Sequence, residues 1–171
     1  KFLPKDINAI FYENTIQEEK CDIPIKTIIS IRTQSIIPLD WQTNIAAILS
    51  RSTGHDHLDF YKKNSTQSIS YGYLPAYCAK SVAEHALTVW SCLLKKLPNQ
   101  MKQFKTFNRN NITGTEIKNK NILVVGVGHI GIEIIKIAAS LNMNVDGLDL
   151  VEKFDDVNYI SYEDDLSKYD I

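Results

Sequence analysis

Three glycines and one aspartate carry the clearest chemical signal in this chain. Gly126, Gly128 and Gly131 follow directly on the β-branched run Ile122 to Val125, and Asp149 comes 18 residues after Gly131. An apolar run of that kind, turning through glycines into a helix, is a place where backbone can meet an anion. Gly126 permits the tight turn, Gly128 lets bare main chain approach a pyrophosphate, and Gly131 lets the helix lie close to the strand. The phosphates then rest on the helix N-terminus, where unpaired N–H groups and the positive end of the dipole make a basic side chain unnecessary. Asp149, at the tip of a second strand, can accept hydrogen bonds from the adenosine ribose hydroxyls and repels a 2′-phosphate, so NAD is expected rather than NADP. The bland alternative is an ordinary strand–helix–strand unit whose glycines serve conformation alone.

A second candidate is the loop Ser50-Arg51-Ser52-Thr53-Gly54-His55-Asp56-His57, which follows the apolar run Asn44 to Leu49. Open α/β sheets place ligand contacts at the C-terminal ends of strands, and the N–H groups of Thr53 and Gly54 could cradle a carboxylate there. The same residues also read as a plain turn with Asp56 capping the next helix. His55 and His57 have the spacing of a metal pair, but no third ligand lies near them, and no metal is expected. Glu84 and His85 read as capping or surface residues before catalytic ones.

The elements that must position these residues alternate. Ile7 to Tyr12, Lys26 to Ile31, Asn44 to Leu49 and Ser68 to Tyr71 read as strands, with short helices near Pro38 to Trp41 and from His57 to Lys63. That alternation implies a parallel sheet covered by helices. A long helix is expected from Ser81 to Lys96, with Ser81 and Glu84 forming a capping box, Pro98 as its stop, and Val82, Ala86, Val89, Trp90 and Leu93 on one face. The helix start is also the best domain boundary. Met101 to Lys120 is a basic, polar arm with Phe104 and Phe107 at helical spacing. Ile130, Ile134, Ile137, Ala138 and Leu141 recur at helical spacing after the glycine turn, and Met143 to Leu148 forms the strand that ends at Asp149. Beyond it, a short strand near Asn158 to Ser161 and a helix from Tyr162 are expected, and Tyr169 to Ile171 reads as the start of another strand.

Composition narrows the function classes. The 171 residues are 44% hydrophobic and 23% charged with a net charge of −1, a globular composition without the basic footprint that nucleic acid or an anionic membrane requires. Cys21, Cys78 and Cys92 are odd in number and lack CxxC spacing, so neither a disulfide framework nor a zinc site is suggested and a cytoplasmic protein is expected. No apolar run approaches a membrane span. The chain starts without methionine and breaks off in a strand-like segment, which suggests part of a longer gene product.

The order of these pieces resembles the N-terminal portion of the D-isomer-specific 2-hydroxyacid dehydrogenase family. The segments RSTGHDHLD, PAYCAKSVAEHAL and GVGHIG are especially similar to its D-lactate dehydrogenase branch. The resemblance implies an α/β chain with a flavodoxin-like substrate domain over residues 1–78. The first half of a Rossmann NAD-binding domain would follow over residues 79–171, with the active site in the cleft between the two. It further implies that Thr53 and Gly54 hold the substrate carboxylate, that Tyr77 lines the substrate pocket, and that Gly126, Gly128, His129, Ile130 and Gly131 hold the pyrophosphate with Asp149 on the ribose. A homodimer through the cofactor domain is implied, built on the Ser81 helix and the arm after it. The implied activity is hydride transfer between NAD(H) and a small D-2-hydroxy acid or 2-keto acid. The family's arginine, glutamate and histidine would lie beyond Ile171, so no catalytic residue is assigned here. The alternative is a non-catalytic, corepressor-like member that senses NAD(H).

Overall fold

In a computed structural model, which describes residues 6–18 and 22–171, the chain divides into two compact units, Lys1–Pro75 and Ala76–Ile171. Each is built on its own parallel sheet. Cys21 and part of the polar stretch before Asp22 lie outside the described residues.

The first unit orders its strands β1 (Thr27–Ile31), β2 (Ile45–Ser50) and β3 (Ser70–Gly72) side by side, all parallel. Parallel neighbours need crossovers, and these are a 3₁₀ turn at Leu39–Thr43 and, after β2, a 3₁₀ turn at Asp56–Leu58 leading into α1 (Asp59–Asn64). Burial alternates along β1: Ile29 packs against the core and Ile31 is enclosed in it, while Ser30 between them and Ile28 before them, 70% exposed, face outward. Ile31, Ile37, Ile45, Ile48, Leu58 and Tyr61 form that core. The stretch Ile7 to Tyr12, expected as a strand, is irregular and exposed. A β-prone run becomes a strand only where a ladder receives it, and none of the described strands pairs with this one.

The second unit opens with α2 (Ala79–Leu94), which starts two residues before the expected cap. Cys78 occupies the cap position without a side-chain cap bond, so Ser81 falls in the first turn and the Ser81–Glu84 capping box does not form. Ala83 and Trp90 of α2 are buried, and Ala86, Leu87 and Leu94 pack into the same core as Trp90, while Val82, Val89 and Leu93 are exposed. The apolar residues of α2 thus divide into two stripes, and only one faces the core. Pro98 does not stop α2. It sits in the first turn of α3 (Leu97–Phe104), where its missing N–H is no loss, and the break between the helices is Lys96 at φ 53°. The arm then returns over the end of α2: Thr115 N–H donates to the Leu94 carbonyl at 2.9 Å, satisfying one of the last helical acceptors.

β4 (Asn121–Val125), α4 (His129–Ser140) and β5 (Asn144–Leu148) follow, with β4 and β5 paired in parallel from Asn121↔Asn144 to Val125↔Leu148. Ala138, fully buried on α4, shares a core with Trp90, Ile122 and Met143. Tyr159 bridges to Gly147 beside β5, and Ile171 receives a hydrogen bond from Leu123 N–H at 2.9 Å beside β4. The helix expected from Tyr162 is replaced by a single 3₁₀ turn at Leu166–Lys168, with the Asp165 side chain capping it through the Ser167 N–H. The segment has too few apolar positions to bury a helical face.

Gly147, in β5, has no room for a side chain. A Cβ there would lie 2.8 Å from Val157 and 2.9 Å from Val127 side-chain carbons. Gly147→Ala should therefore destabilise the second unit by about 1–3 kcal/mol through overpacking. Urea unfolding followed by the fluorescence of Trp90, in a Trp41→Phe background, checks this; an unchanged midpoint would mean that the valines move aside freely.

Candidate functional site

The three glycines between β4 and α4 answer to three different constraints. Gly126 has φ +87°, a region that side-chain-bearing residues rarely adopt, and a Cβ on it would meet no neighbour, so its role is conformational. Gly131 is required by contact: a Cβ there would sit 2.2 Å from the Gly126 carbonyl oxygen. At Gly128 neither applies; a Cβ would enter open space, and the residue leaves main chain bare at the N-cap of α4. Behind the turn Val127 is fully enclosed, packed with Val124, Ile135 and Val157. The first N–H groups of α4, from His129 onward, lack partners within the helix and carry the positive end of its dipole. His129 is exposed and Ile130 half-buried.

Asp149 is joined to this turn. Its Oδ2 accepts the Val127 N–H at 2.7 Å and its Oδ1 accepts the Val151 N–H at 3.2 Å. The Val151 and Val127 N–H groups hold its carboxyl below the ordinary carboxylate range, against a smaller opposing effect of burial. An ionised carboxylate offers about four lone-pair positions, so two remain for hydroxyl donors after the backbone bonds are made. An adenosine diphosphate fits this donor and acceptor set: bare N–H groups for the pyrophosphate and a carboxylate for the ribose.

The loop of the first unit is built differently. Ser50, at the end of β2, is wholly buried, and its Oγ lies 2.5 Å from Ser52 Oγ and 2.9 Å from His57 Nε2. Ser52 Oγ donates to the Gly54 carbonyl at 2.7 Å, and the His55 ring packs on Tyr73 with centroids 4.6 Å apart. Thr53 is half-buried and Gly54 exposed. A Cβ on Gly54 would meet only the Asp56 Oδ1, at 3.3 Å, so what a side chain here would obstruct is the space in front of the loop. Tyr77 belongs to the second unit and is 65% exposed in the turn before α2. The structure thus gathers Gly126, Gly128, His129, Ile130, Gly131 and Asp149 in one place and Thr53 with Gly54 in another. Asp56 caps no helix through its side chain; the N-cap position is His55. Among the described residues no group of three or more His, Cys, Asp or Glu could hold a metal.

Sequence reasoning missed Val127, Gly147, Ser50, Ser52 and His57. A β-branched residue between two glycines was a usable signal for Val127. Nothing in the spacing of Ser50, Ser52 and His57 marks them as partners.

Comparison with known proteins follows the same lines. Residues 87–171 match the model of the D-isomer specific 2-hydroxyacid dehydrogenase NAD binding domain. A D-2-hydroxyacid dehydrogenase (NAD(+)) of Clostridioides difficile is 28% identical, covering 95% of this chain and 52% of that protein. An aromatic 2-oxoacid reductase of Clostridium sporogenes is 27% identical over 70% of this chain and 37% of its own length. The crystal structure of D-lactate dehydrogenase from Aquifex aeolicus, complexed with NAD and lactic acid, superposes with a TM-score of 0.76 at 26% identity, covering 92% of this chain and 50% of that one. The chain spans about half the length, or less, of these relatives.

The lowered titration of Asp149 has a defined sign. Because the folded state holds the ionised form, the stability it contributes is present above the ordinary carboxylate range and is lost as pH falls through the lowered value. Asp149→Ala should be less stable than wild type at neutral pH, with the gap closing in acid. Urea midpoints measured from pH 7 downward test this; a gap independent of pH would show that the carboxylate does not hold the turn.

Proposed function

We propose that this chain, which belongs to the D-isomer specific 2-hydroxyacid dehydrogenase family, is part of an oxidoreductase that transfers a hydride between NAD(H) and a small D-2-hydroxy acid or 2-keto acid. The observation that carries the reading is the turn at Gly126–Gly131. Its three glycines meet three separate demands and its backbone is tied to Asp149. In this reading Gly128, His129 and Ile130 offer N–H groups to the pyrophosphate, and Gly126 and Gly131 give the turn its shape. The free lone pairs of Asp149 take the ribose hydroxyls. Reduced nicotinamide, when bound, supplies the hydride. Thr53 and Gly54 receive the substrate carboxylate on their N–H groups, and Tyr77 contributes to the substrate pocket. Residues 1–78 serve as the substrate domain and 79–171 as the cofactor domain.

None of the histidines is assigned as the acid–base group. His57 is engaged with Ser50, His55 packs on Tyr73, and His85 and His129 are exposed on helices. A proton donor must reach the substrate carbonyl before its pKa matters, and this group is proposed to lie in sequence beyond Ile171. The protein is further proposed to be a homodimer. Val89 and Leu93 of α2 and Met101 and Phe104 of α3, with Phe107 after it, present apolar side chains to solvent. Exposed apolar residues that recur along two successive helices support an association surface. A cytoplasmic location accords with three cysteines, odd in number and without CxxC spacing, and with Cys92 as a free thiol. No helix among the described residues is long and apolar enough to cross a membrane.

The intact protein, given NADH and pyruvate or a longer 2-keto acid, should oxidise the nicotinamide and yield the D-hydroxy acid. It should favour NADH over NADPH by roughly tenfold or more, and Asp149→Ser should narrow that preference. Absorbance of the reduced nicotinamide and chiral chromatography of the product read both. An L-configured product, or no turnover with any 2-keto acid, would contradict the activity; equal use of the two cofactors by wild type would contradict the role of Asp149.

A further inference from the structure

A chain of side-chain hydrogen bonds runs behind the Gly54 loop, and counting donors fixes its direction. Ser52 Oγ lies 2.7 Å from the Gly54 carbonyl oxygen, which can only accept, so the single hydroxyl hydrogen of Ser52 is committed there. Ser50 Oγ and Ser52 Oγ are 2.5 Å apart. With the Ser52 hydrogen used, Ser50 must be the donor between them. Ser50 then has no hydrogen left for His57 Nε2, 2.9 Å away, and the imidazole must donate to it. The chain therefore runs one way, from His57 Nε2–H through Ser50 and Ser52 to the Gly54 carbonyl. Only imidazole forms with a proton on Nε2 satisfy it.

This chain lies where a broken link is costly. Ser50 is wholly buried, so an unpaired hydroxyl there could not turn to water. The base of the loop is tied on either side, by Arg51 N–H on the Ile31 carbonyl at 2.9 Å and by Leu74 N–H on the Ser52 carbonyl at 3.1 Å. Between these ties the Ser52 bond to the Gly54 carbonyl closes a ring around the peptides of Thr53 and Gly54.

We propose that His57, Ser50 and Ser52 are positioning residues that hold the Gly54 peptide and so aim the Thr53 and Gly54 N–H groups at the carboxylate of a 2-keto acid. The proposal rests on the reading of that loop as the carboxylate site. None of the three residues touches substrate; they act through the backbone that does.

The test uses the intact protein, with NADH oxidation by pyruvate and by a longer 2-keto acid as the assay. Ser52→Ala removes only the last link, at a half-buried position, and should raise the keto-acid KM about five- to tenfold while NADH affinity stays within about twofold. His57→Leu should match it. His57→Gln, whose amide N–H can donate in place of Nε2, should recover most of the loss, which a role in packing alone would not produce. The nitrogen-15 spectrum of the imidazole gives a readout independent of activity. Wild-type His57, when neutral, carries its proton on Nε2, and in Ser52→Ala the Nδ1–H form should appear because Ser50 becomes free to donate to the ring. An Nδ1–H ring in the wild type would overturn the directed chain. Unchanged KM in Ser52→Ala and His57→Leu, while Gly54→Val raises it, would overturn the positioning role and leave the carboxylate site standing. If Gly54→Val itself leaves KM unchanged, the carboxylate reading of the loop fails and the positioning role fails with it.

Discussion

The hydrogen bond from Val127 N–H to Asp149 is the contact on which the second unit's site depends. It joins the turn after β4 to the end of β5, two points 22 residues apart in sequence, at 2.7 Å. The side chain of Val127 is enclosed in the core, so one residue is held from both ends, its side chain by packing and its N–H by the carboxylate. That double hold keeps Gly126 in its positive-φ conformation and presents the start of α4 with its N–H groups outward. Without it, the turn would keep its glycine freedom and lose its single geometry.

The first unit meets a comparable demand by other means. The loop at the end of β2 is proposed to hold the N–H groups of Thr53 and Gly54 in one orientation. The Ser50 and Ser52 hydroxyls and the His57 imidazole form a chain there, and the buried Ser50 is matched on both sides by partners. Both units thus place irregular backbone at the C-terminal end of a parallel strand and fix it with a polar side chain. Loops at strand ends carry ligands in open α/β sheets because the backbone groups there are not consumed by the ladder.

Legibility in the sequence followed the range of the interaction concerned. The Gly126–Gly131 turn, α4 and the parallel pairing of β4 with β5 were readable, because glycine spacing and β-branched runs act over a few residues. The face of α2 was not. Val82, Val89 and Leu93 and the stripe of Ala83, Ala86, Leu87 and Trp90 are both apolar, and only contact with α4 selects the second. The capping box failed because Ser81 and Glu84 have the right spacing in the wrong place: the turn at Cys78 had already started the helix. Ile7 to Tyr12 failed as a strand because propensity does not supply a partner. The link between Ser50, Ser52 and His57 lies in side-chain geometry that no periodicity encodes, and Gly147 is explained only by two valines that reach it from Val127 and Val157.

We propose that the bare main chain at the start of α4 receives a pyrophosphate. Titrating NAD into nitrogen-15-labelled protein and following the backbone amides tests it most directly. The amides of Gly128, His129 and Ile130 should shift first and furthest, with ADP-ribose reproducing the effect. Amides that stay fixed there, while shifts gather instead on the basic stretch from Lys102 to Lys120, would contradict it.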